Sequence, residues 1–526
     1  MDLNLRGTSE GPAYLPTVAT PIASSSHFED EADVTQAVII AAGNGSRLQG
    51  YRNNCPKPLI KVAGVPLLKR VILAAKRAGV KEFVIVLGYQ AARIRKSINA
   101  SKLGVKITWV RNVDWRKPNG LSVLKAEKFV RGRFYLFMAD HVFDPKILER
   151  LKKSPLDKEC GTLCVDYRLN RIPNLDDATK VRTKHGRLYD LGKSLTDFNA
   201  IDVGIFVCTP ELFDALRVSH ERNEYALSDG VRVLAREGKM RTFDIGEAYW
   251  QDVDTVPDVR LAERLLLRAT RSSGDGIIAK LINRRISNPI SRLLARTPVT
   301  PNQISFFNLL FSAFVAWLVS LGQPLTTALG GVLFQLVSIL DGCDGEIAHI
   351  KLQDSKKGAF IDTLTDQLSY ILFIIGVTLG AFHATQSQVV FYVTGAILVG
   401  LLIALNFGRL YVKRRGSASL RELDKGIASL NHDKQKAWYL RLFGSFHHFG
   451  RRDMFSFIAM ILMLFGNIVF FYWLLMVVLV VISLGISLSS LAMLRKENTS
   501  TPLRRLFQRM FSRAAVPATL ELETEK

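Results

Sequence analysis

Between Asp341 and Asp366 the chain reads DGCDGEIAHIKLQDSKKGAFIDTLTD, where two long apolar stretches turn back towards each other. Asp341 and Asp344 are three residues apart and Asp362 and Asp366 four apart. On two helices each pair therefore shares a face, and the polar turn between them brings the pairs together. Four carboxylates at the membrane end of a hairpin repel one another and are costly to desolvate. Divalent cations resolve both problems, and an all-oxygen ligand set selects Mg2+, Mn2+ or Ca2+. Gly345, Ala348 and Gly358 leave room on those faces for a phosphate-bearing ligand. Solvated acidic helix ends are the weaker reading.

A second pattern of this kind lies nearer the start. The run Gln36 to Ala42, QAVIIAA, is expected to be a buried parallel strand, and GNGSRL follows at once. Ala42, Gly43, Gly45 and Ser46 form a loop whose backbone N–H groups close on phosphate oxygens, and Arg47 adds a planar fork donor. The stiff segment Pro56-Lys57-Pro58-Leu59 carries Lys57 back to the same place. Asp140 ends the apolar run YLFMAD, at the C-terminal edge of the sheet where α/β ligands bind. Trp250-Gln-Asp252-Val-Asp254-Thr supplies a second carboxylate. Asp252 is the preferred ligand and Asp254 stays open. Two carboxylates with Mg2+ would neutralise an α-phosphate while an incoming phosphate oxygen displaces diphosphate. Lys180 and Lys193 are candidates for gripping the acceptor phosphate, against a competing reading as surface lysines.

These residues need two kinds of scaffold. Strands at 82–87, 106–110, 134–138 and 161–165, with a helix over 66–78, alternate as in a three-layer α/β domain. The expected organisation is a mobile extension over 1–34, an α/β nucleotide domain over 35–270 and an interfacial juxtamembrane helix over 271–300. An all-α membrane domain over 301–496 and a basic tail over 497–526 complete it. Six spans are expected, at 304–321, 326–347, 359–382, 388–411, 453–466 and 467–494. Pro289 should kink the juxtamembrane helix.

The 526-residue chain carries a net charge of +23. Its basic residues concentrate around the apolar segments, which argues for cytoplasmic membrane flanks and against nucleic acid. Five cysteines without a framework spacing are expected to be reduced thiols. A cleaved signal peptide is not expected. By the positive-inside rule both termini and both sites face the cytoplasm of a cell inner membrane. A water-soluble phosphorylated acceptor needs fixed positive charge near the acidic cluster, and Arg409, Lys413 and Arg452 stand at the right depth.

The spacing Asp341-x2-Asp344-Gly345-x2-Ala348-His349-x8-Gly358-x3-Asp362-x3-Asp366 resembles the signature of the CDP-alcohol phosphotransferases. That resemblance implies that Asp341, Asp344 and Asp362 hold metal and the CDP diphosphate. Asp366 would share in metal binding or take the proton from the acceptor hydroxyl. His349 departs from the pattern, which usually has Arg, so a phosphate contact there loses permanent charge. AAGNGSRL with PKPL resembles the nucleotidyltransferases that activate sugar and alcohol phosphates. The likeness implies Mg2+ on Asp140, nucleotide contacts from the loop, with Arg47 and Lys57 serving catalysis, and base contacts at Gly120 and Ser122.

The pairing is similar to the bifunctional inositol-1-phosphate cytidylyltransferase and di-myo-inositol phosphate phosphate synthase family. It implies that CTP and inositol 1-phosphate give CDP-inositol and diphosphate. Inositol phosphate then passes to a second inositol 1-phosphate, releasing CMP. Mg2+ (or Mn2+) serves both sites, the lipid bilayer surrounds the second half, and the protein pairs as a homodimer through its membrane domain. Two other readings compete: a phospholipid synthase using CDP-diacylglycerol and an alcohol phosphate, and a non-enzymatic transporter or scaffold.

Overall fold

The computed structural model describes residues 34–48, 54–154, 161–270, 276–414 and 452–499. The extension before Val34, the segment 415–451 and the tail beyond Thr499 lie outside the described residues.

The first half is built on one nine-stranded sheet. Its strands are β1 (Gln36–Ala41), β2 (Glu82–Leu87), β3 (Lys106–Arg111), β4 (Phe134–Met138), β6 (Gly161–Asp166), β7 (Lys180–Lys184), β8 (Arg187–Gly192), β9 (Ala200–Cys208) and β10 (Met240–Asp244). The spatial order is β3-β2-β1-β4-β9-β6-β10-β8-β7. Strand β1 lies parallel between β2 and β4, with Gln36 opposite both Glu82 and Phe134. Its six residues are all buried, as a strand covered on both faces requires. Ala37, Ile39 and Ala41 enter one core while Val38 and Ile40 enter the other, the period-two alternation of a strand between two layers. A small ribbon of β5 (His141–Phe143) and β11 (Trp250–Asp252) sets Asp252 opposite His141.

Helix α1 (Leu67–Arg77) packs on this half, and α2 (Val256–Ala269) closes it. The start of α2 is fixed by a capping box in which Asp258 accepts from the Thr255 N–H and hydroxyl at 2.7 Å each. The chain then passes through one π-helical turn, Ala279–Asn283, into α3 (Arg284–Ala295), with Pro289 inside that helix. Ser287 and Ser291 are buried against the protein, while Ile277, Leu281, Ile286 and Leu293 are exposed. Ile290 and Leu294 pack inward against Ile304, Cys343 and Ile347, and the apolar side chains left outside, with the exposed Arg285 and Arg296, suit a helix lying on a bilayer.

The second half is helical: α4 (Pro301–Ser320), α5 (Pro324–Lys351), α6 (Lys356–Thr385), α7 (Val389–Arg414), α8 (Arg452–Met463) and α9 (Ile468–Thr499). Among the described residues, four helices are long and apolar enough to cross a membrane, within α4, α5, α6 and α9. The protein is an integral membrane protein. Helix α8, which falls within the span expected at 453–466, is described over Arg452–Met463. Glycines bring α4 and α6 together: a Cβ at Gly376 or Gly380 would lie 2.4 Å from the Ala316 or Val319 carbonyl oxygen. Such small-residue contacts drive packing where lipid removes the hydrophobic incentive.

Candidate active sites

In the α/β half, loop 42–48 follows β1 and tightens into a 3-10 turn at Ser46–Leu48, with the Leu48 N–H donating to Gly45 O at 3.0 Å. Gly45 has φ +59°, and a Cβ there would come 2.6 Å from the Lys57 Cβ. Only glycine satisfies both the left-handed backbone and that approach. The absence of a side chain lets Lys57 enter beneath the loop. Lys57 is buried, its Nζ 2.5 Å from Asp140 Oδ2, 2.5 Å from Asp254 Oδ1 and 3.6 Å from Asp252 Oδ1. Burial alone would lower its pKa, but the three carboxylates outweigh that and raise it. Asp140 is correspondingly held well below the usual carboxylate range, Lys57 and His141 overcoming the opposing effect of burial.

His141, next in the chain, sets Nδ1 2.8 Å from Asp140 Oδ1 and 4.0 Å from Asp252 Oδ1, and its ring stacks on Trp250. Against burial, Asp252 and Asp140 raise it to about 9. Burial and the Asp140 charge push Asp252 up to about 6. Ligand atoms of Asp140, His141 and Asp252 lie within 4.8 Å of one another. Asp252 Oδ1 is buried without a hydrogen-bond partner. A converging oxygen–nitrogen set with an orphaned carboxylate oxygen fits a divalent cation. Asp254 instead joins Lys57 to Arg47, whose Nη1 is 3.1 Å from Asp254 Oδ2 and 2.5 Å from Asp177 Oδ2.

This cluster stands between two cavities. The smaller, about 260 Å³, is lined by the 43–47 loop, Lys57, Asp140 and Asp254. The larger, about 1010 Å³, has His141, Asp252, Lys193, Arg168, Arg171 and Arg232 among its walls. The two cavities share Asp254, and basic side chains line both.

At the hairpin end of the membrane half, the i,i+3 and i,i+4 spacings place Asp341 and Asp344 on α5 against Asp362 and Asp366 on α6. Ligand oxygens of Asp341, Asp344 and Asp362 lie within 4.8 Å of one another, which fits an oxygen-seeking cation. Helix α4 braces them: Ser305 donates to Asp344, and Asn308 Nδ2 to Asp341 Oδ1 at 3.4 Å. Arg452 at the start of α8 pairs with Asp366 and, at 2.6 Å, with Asp341 Oδ1, while its guanidinium lies 5.6 Å from the Tyr370 ring centroid. Gly345 is exposed and a Cβ there meets nothing within 4 Å, so that face is open to a ligand.

Residues 37–234 match the MobA-like NTP transferase domain and residues 298–426 the CDP-alcohol phosphatidyltransferase family. The chain is 35% identical to the "Bifunctional IPC transferase and DIPP synthase" of Rubrobacter xylanophilus, over 66% of this chain and 77% of that protein. It is 36% identical to the protein of the same name from Archaeoglobus fulgidus, over 71% of each. The chain belongs to the bifunctional IPC transferase and DIPP synthase family. A solved structure, the inositol-1-phosphate CTP transferase from T. maritima, is 25% identical, with TM-score 0.41, covering 44% of this chain and 96% of that one.

Within this family member the expected residues fall unevenly. Gly43, Gly45, Ser46, Arg47 and Lys57 line one cavity. Ala42, the first residue after β1, is buried. Gly120 and Ser122 are also buried, and Ser122 Oγ accepts from Asn112 Nδ2 at 2.9 Å. They support the wall and do not line either cavity described above. Lys193 lines the larger cavity and donates to Asp177 Oδ1 at 2.8 Å. Lys180 turns to main-chain oxygens, donating to Lys193 O at 2.8 Å. Ala348 and His349 are half-buried in the last turns of α5, and Gly358 lies near Asn302 in the first turn of α6. Arg452, expected to bring positive charge near the acidic cluster, pairs with two of its aspartates. The side chains of Arg409 and Lys413 lie outside the described residues.

Sequence reasoning missed His141, Arg168, Arg171, Arg232, Ser305 and Asn308. For the last two a signal existed: Asn302, Ser305, Asn308 and Ser312 recur at three- to four-residue spacing in an otherwise apolar helix, marking one polar face.

Proposed function

We propose that the α/β half forms CDP-inositol and diphosphate from CTP and inositol 1-phosphate. The membrane half transfers inositol phosphate from CDP-inositol to a second inositol 1-phosphate. The observation that carries this is one chain holding two separate carboxylate clusters, one beside a phosphate loop and one at a membrane hairpin, in a family whose members bear both activities in their name.

In the first reaction a phosphate oxygen of inositol 1-phosphate attacks the CTP α-phosphorus, and the bond to diphosphate breaks. Arg47, Lys57 and the 43–47 backbone hold the nucleotide phosphates, and Lys193 with Arg168 receives the acceptor anion. The acceptor oxygen is already anionic, so no protein nucleophile is required. In the second, a hydroxyl of inositol 1-phosphate attacks the inositol-bearing phosphorus of CDP-inositol and CMP leaves. Asp366 accepts the hydroxyl proton, and Arg452 holds Asp366 and Asp341 in register. Asp140, His141 and Asp252 in the first site, and Asp341, Asp344 and Asp362 in the second, would hold Mg2+ or Mn2+. There the ion supplies positive charge to the phosphates.

Both active sites face the cytoplasm at the inner membrane, with the protein pairing through its helical half; clustered basic residues flanking the spans support the orientation. Radiolabelled CTP with a panel of alcohol phosphates, given to the purified protein, tests the substrates. Water-soluble CDP-inositol and CMP are expected, and label in a chloroform phase would establish phospholipid synthesis instead. Asp140→Ala should abolish diphosphate release while sparing transfer from supplied CDP-inositol. Loss of both reactions in a folded Asp140→Ala protein would overturn the independence of the sites.

A further inference from the structure

Arg70 lies on α1 in the α/β half, yet its guanidinium reaches across to the membrane half. It is 2% exposed. Nη1 donates to Ile350 O at 2.7 Å and Nη2 to Val62 O at 2.8 Å, while Nε is buried without a hydrogen-bond partner. Burial draws its pKa down to about 10. Among the described residues its hydrogen-bond partners are carbonyl oxygens and no carboxylate pairs with it. A desolvated guanidinium is a costly way to join two elements, and a packed apolar residue would serve for cohesion alone.

The carbonyl it holds explains the expense. Ile350 is the penultimate residue of α5 and lies six positions after Asp344. A cation is favoured at a helix C-terminus, where unpaired carbonyls concentrate negative charge. The Ile350 side chain is buried in an apolar cluster with Val62, Leu67 and Leu266 of the α/β half. From the other side, Lys351 Nζ donates to Thr297 O at 2.8 Å and Val299 O at 2.6 Å. Gly64 presses so near α3 that a Cβ would lie 1.9 Å from Ala295 O. The last turn of α5 is thus clamped about 9 Å along the helix from Asp344.

We propose that Arg70 is a positioning residue of the phosphotransfer site, so that the soluble half forms part of the frame for the membrane aspartates. This rests on the second reaction proposed above. Reacting groups displaced by about 1 Å lose on the order of 10²-fold in rate, so a loosened α5 terminus should lower turnover more than donor binding.

The test uses the full chain in nanodiscs, with transfer from supplied CDP-inositol and CTP-dependent diphosphate release measured on the same preparation. Arg70→Ala should lower kcat for transfer by at least about tenfold, with KM for CDP-inositol and the cytidylyl reaction each within about twofold. Arg70→Lys, which keeps the charge and one donor direction, should recover part of the transfer rate. A parallel fall of both reactions in both variants, or unchanged transfer in Arg70→Ala, overturns the assignment. A wild-type chain that transfers nothing overturns the second reaction and this role with it. An active wild type with an indifferent Arg70→Ala overturns Arg70 alone.

Discussion

In the α/β half, Asp140, Asp252 and Asp254 arrive from segments more than a hundred residues apart and close on Lys57. In the membrane half, Asp341, Asp344, Asp362 and Asp366 come from one helical hairpin, and Arg452 enters from a distant helix to bridge two of them. Both clusters place a buried cation among carboxylates that would otherwise repel. They differ in what holds the acids. Strand register and loop entry assemble the first, so its geometry depends on the whole sheet. Helical periodicity aligns the acids of the second on two adjacent helices, while Ser305, Asn308 and Arg452 from neighbouring helices hold and neutralise them. Charge balance is therefore the shared requirement, and backbone geometry is free to vary.

Removing the central cation is the severest challenge to that parallel. Lys57→Met should lower CTP-dependent diphosphate release by about 10²–10³-fold, and Arg452→Met should do the same to transfer, in keeping with the loss of one preorganised charged donor. Each variant should leave the other reaction within about twofold, as coupled assays with supplied intermediates would show. Cross-inactivation would mean that the clusters are not separate sites.

A smaller effect distinguishes roles within the hairpin. Asp366→Asn keeps shape and one oxygen but loses the proton acceptor, so transfer should fall about 10²-fold. CDP affinity, measured by equilibrium dialysis in Mg2+, should persist, whereas Asp344→Asn should lose it. Equal loss of CDP in both would make Asp366 a ligand and leave the base to be found elsewhere.

The smallest expected effect concerns a carboxylate in the larger cavity. Burial raises Asp202 to about 6, although its Oδ1 accepts from the Gly204 N–H at 2.6 Å. Its folded pKa exceeds the ordinary carboxylate value of about 3.9, so ionisation disfavours the fold increasingly as pH rises between about 4 and 6. Asp202→Asn removes that cost. It should stabilise the protein at pH 7 by at most about 3 kcal/mol, seen as a raised Tm in Trp fluorescence melts. The gain should vanish near pH 4; a gain independent of pH would assign it to packing.

The α/β scaffold was legible because its strands are short apolar runs between polar breaks. The structure places them at Gln36–Ala41, Glu82–Leu87, Lys106–Arg111, Phe134–Met138 and Gly161–Asp166, within a residue of the expected spans. The hairpin aspartates were legible because three- and four-residue spacings translate directly into one helical face. His141 was not, since its approach to Asp252 depends on the β5–β11 pairing across more than a hundred residues. Arg168 and Arg232 were hidden for a similar reason: each is aimed by a folded neighbour, Asp166 at 2.8 Å and Asp190 at 3.0 Å. Arg452 was readable as a basic residue at the membrane edge, but its partners were not, because helix orientation decides them.

Asp177 has a consequence for which anions the first site retains. Its carboxylate reaches Arg47 at 2.5 Å and Lys193 at 2.8 Å, and these two cations bring its pKa down to about 2. Asp177 thereby stands as an internal competitor for any anion that approaches Arg47 or Lys193. A single inorganic phosphate must displace that competitor with few contacts in return. Under the proposed first reaction, a nucleoside triphosphate and an alcohol phosphate arriving together would replace it at both ends. These exposed pairs weaken with ionic strength, so added salt should loosen the hold of Asp177 and of any phosphate on the same two cations together.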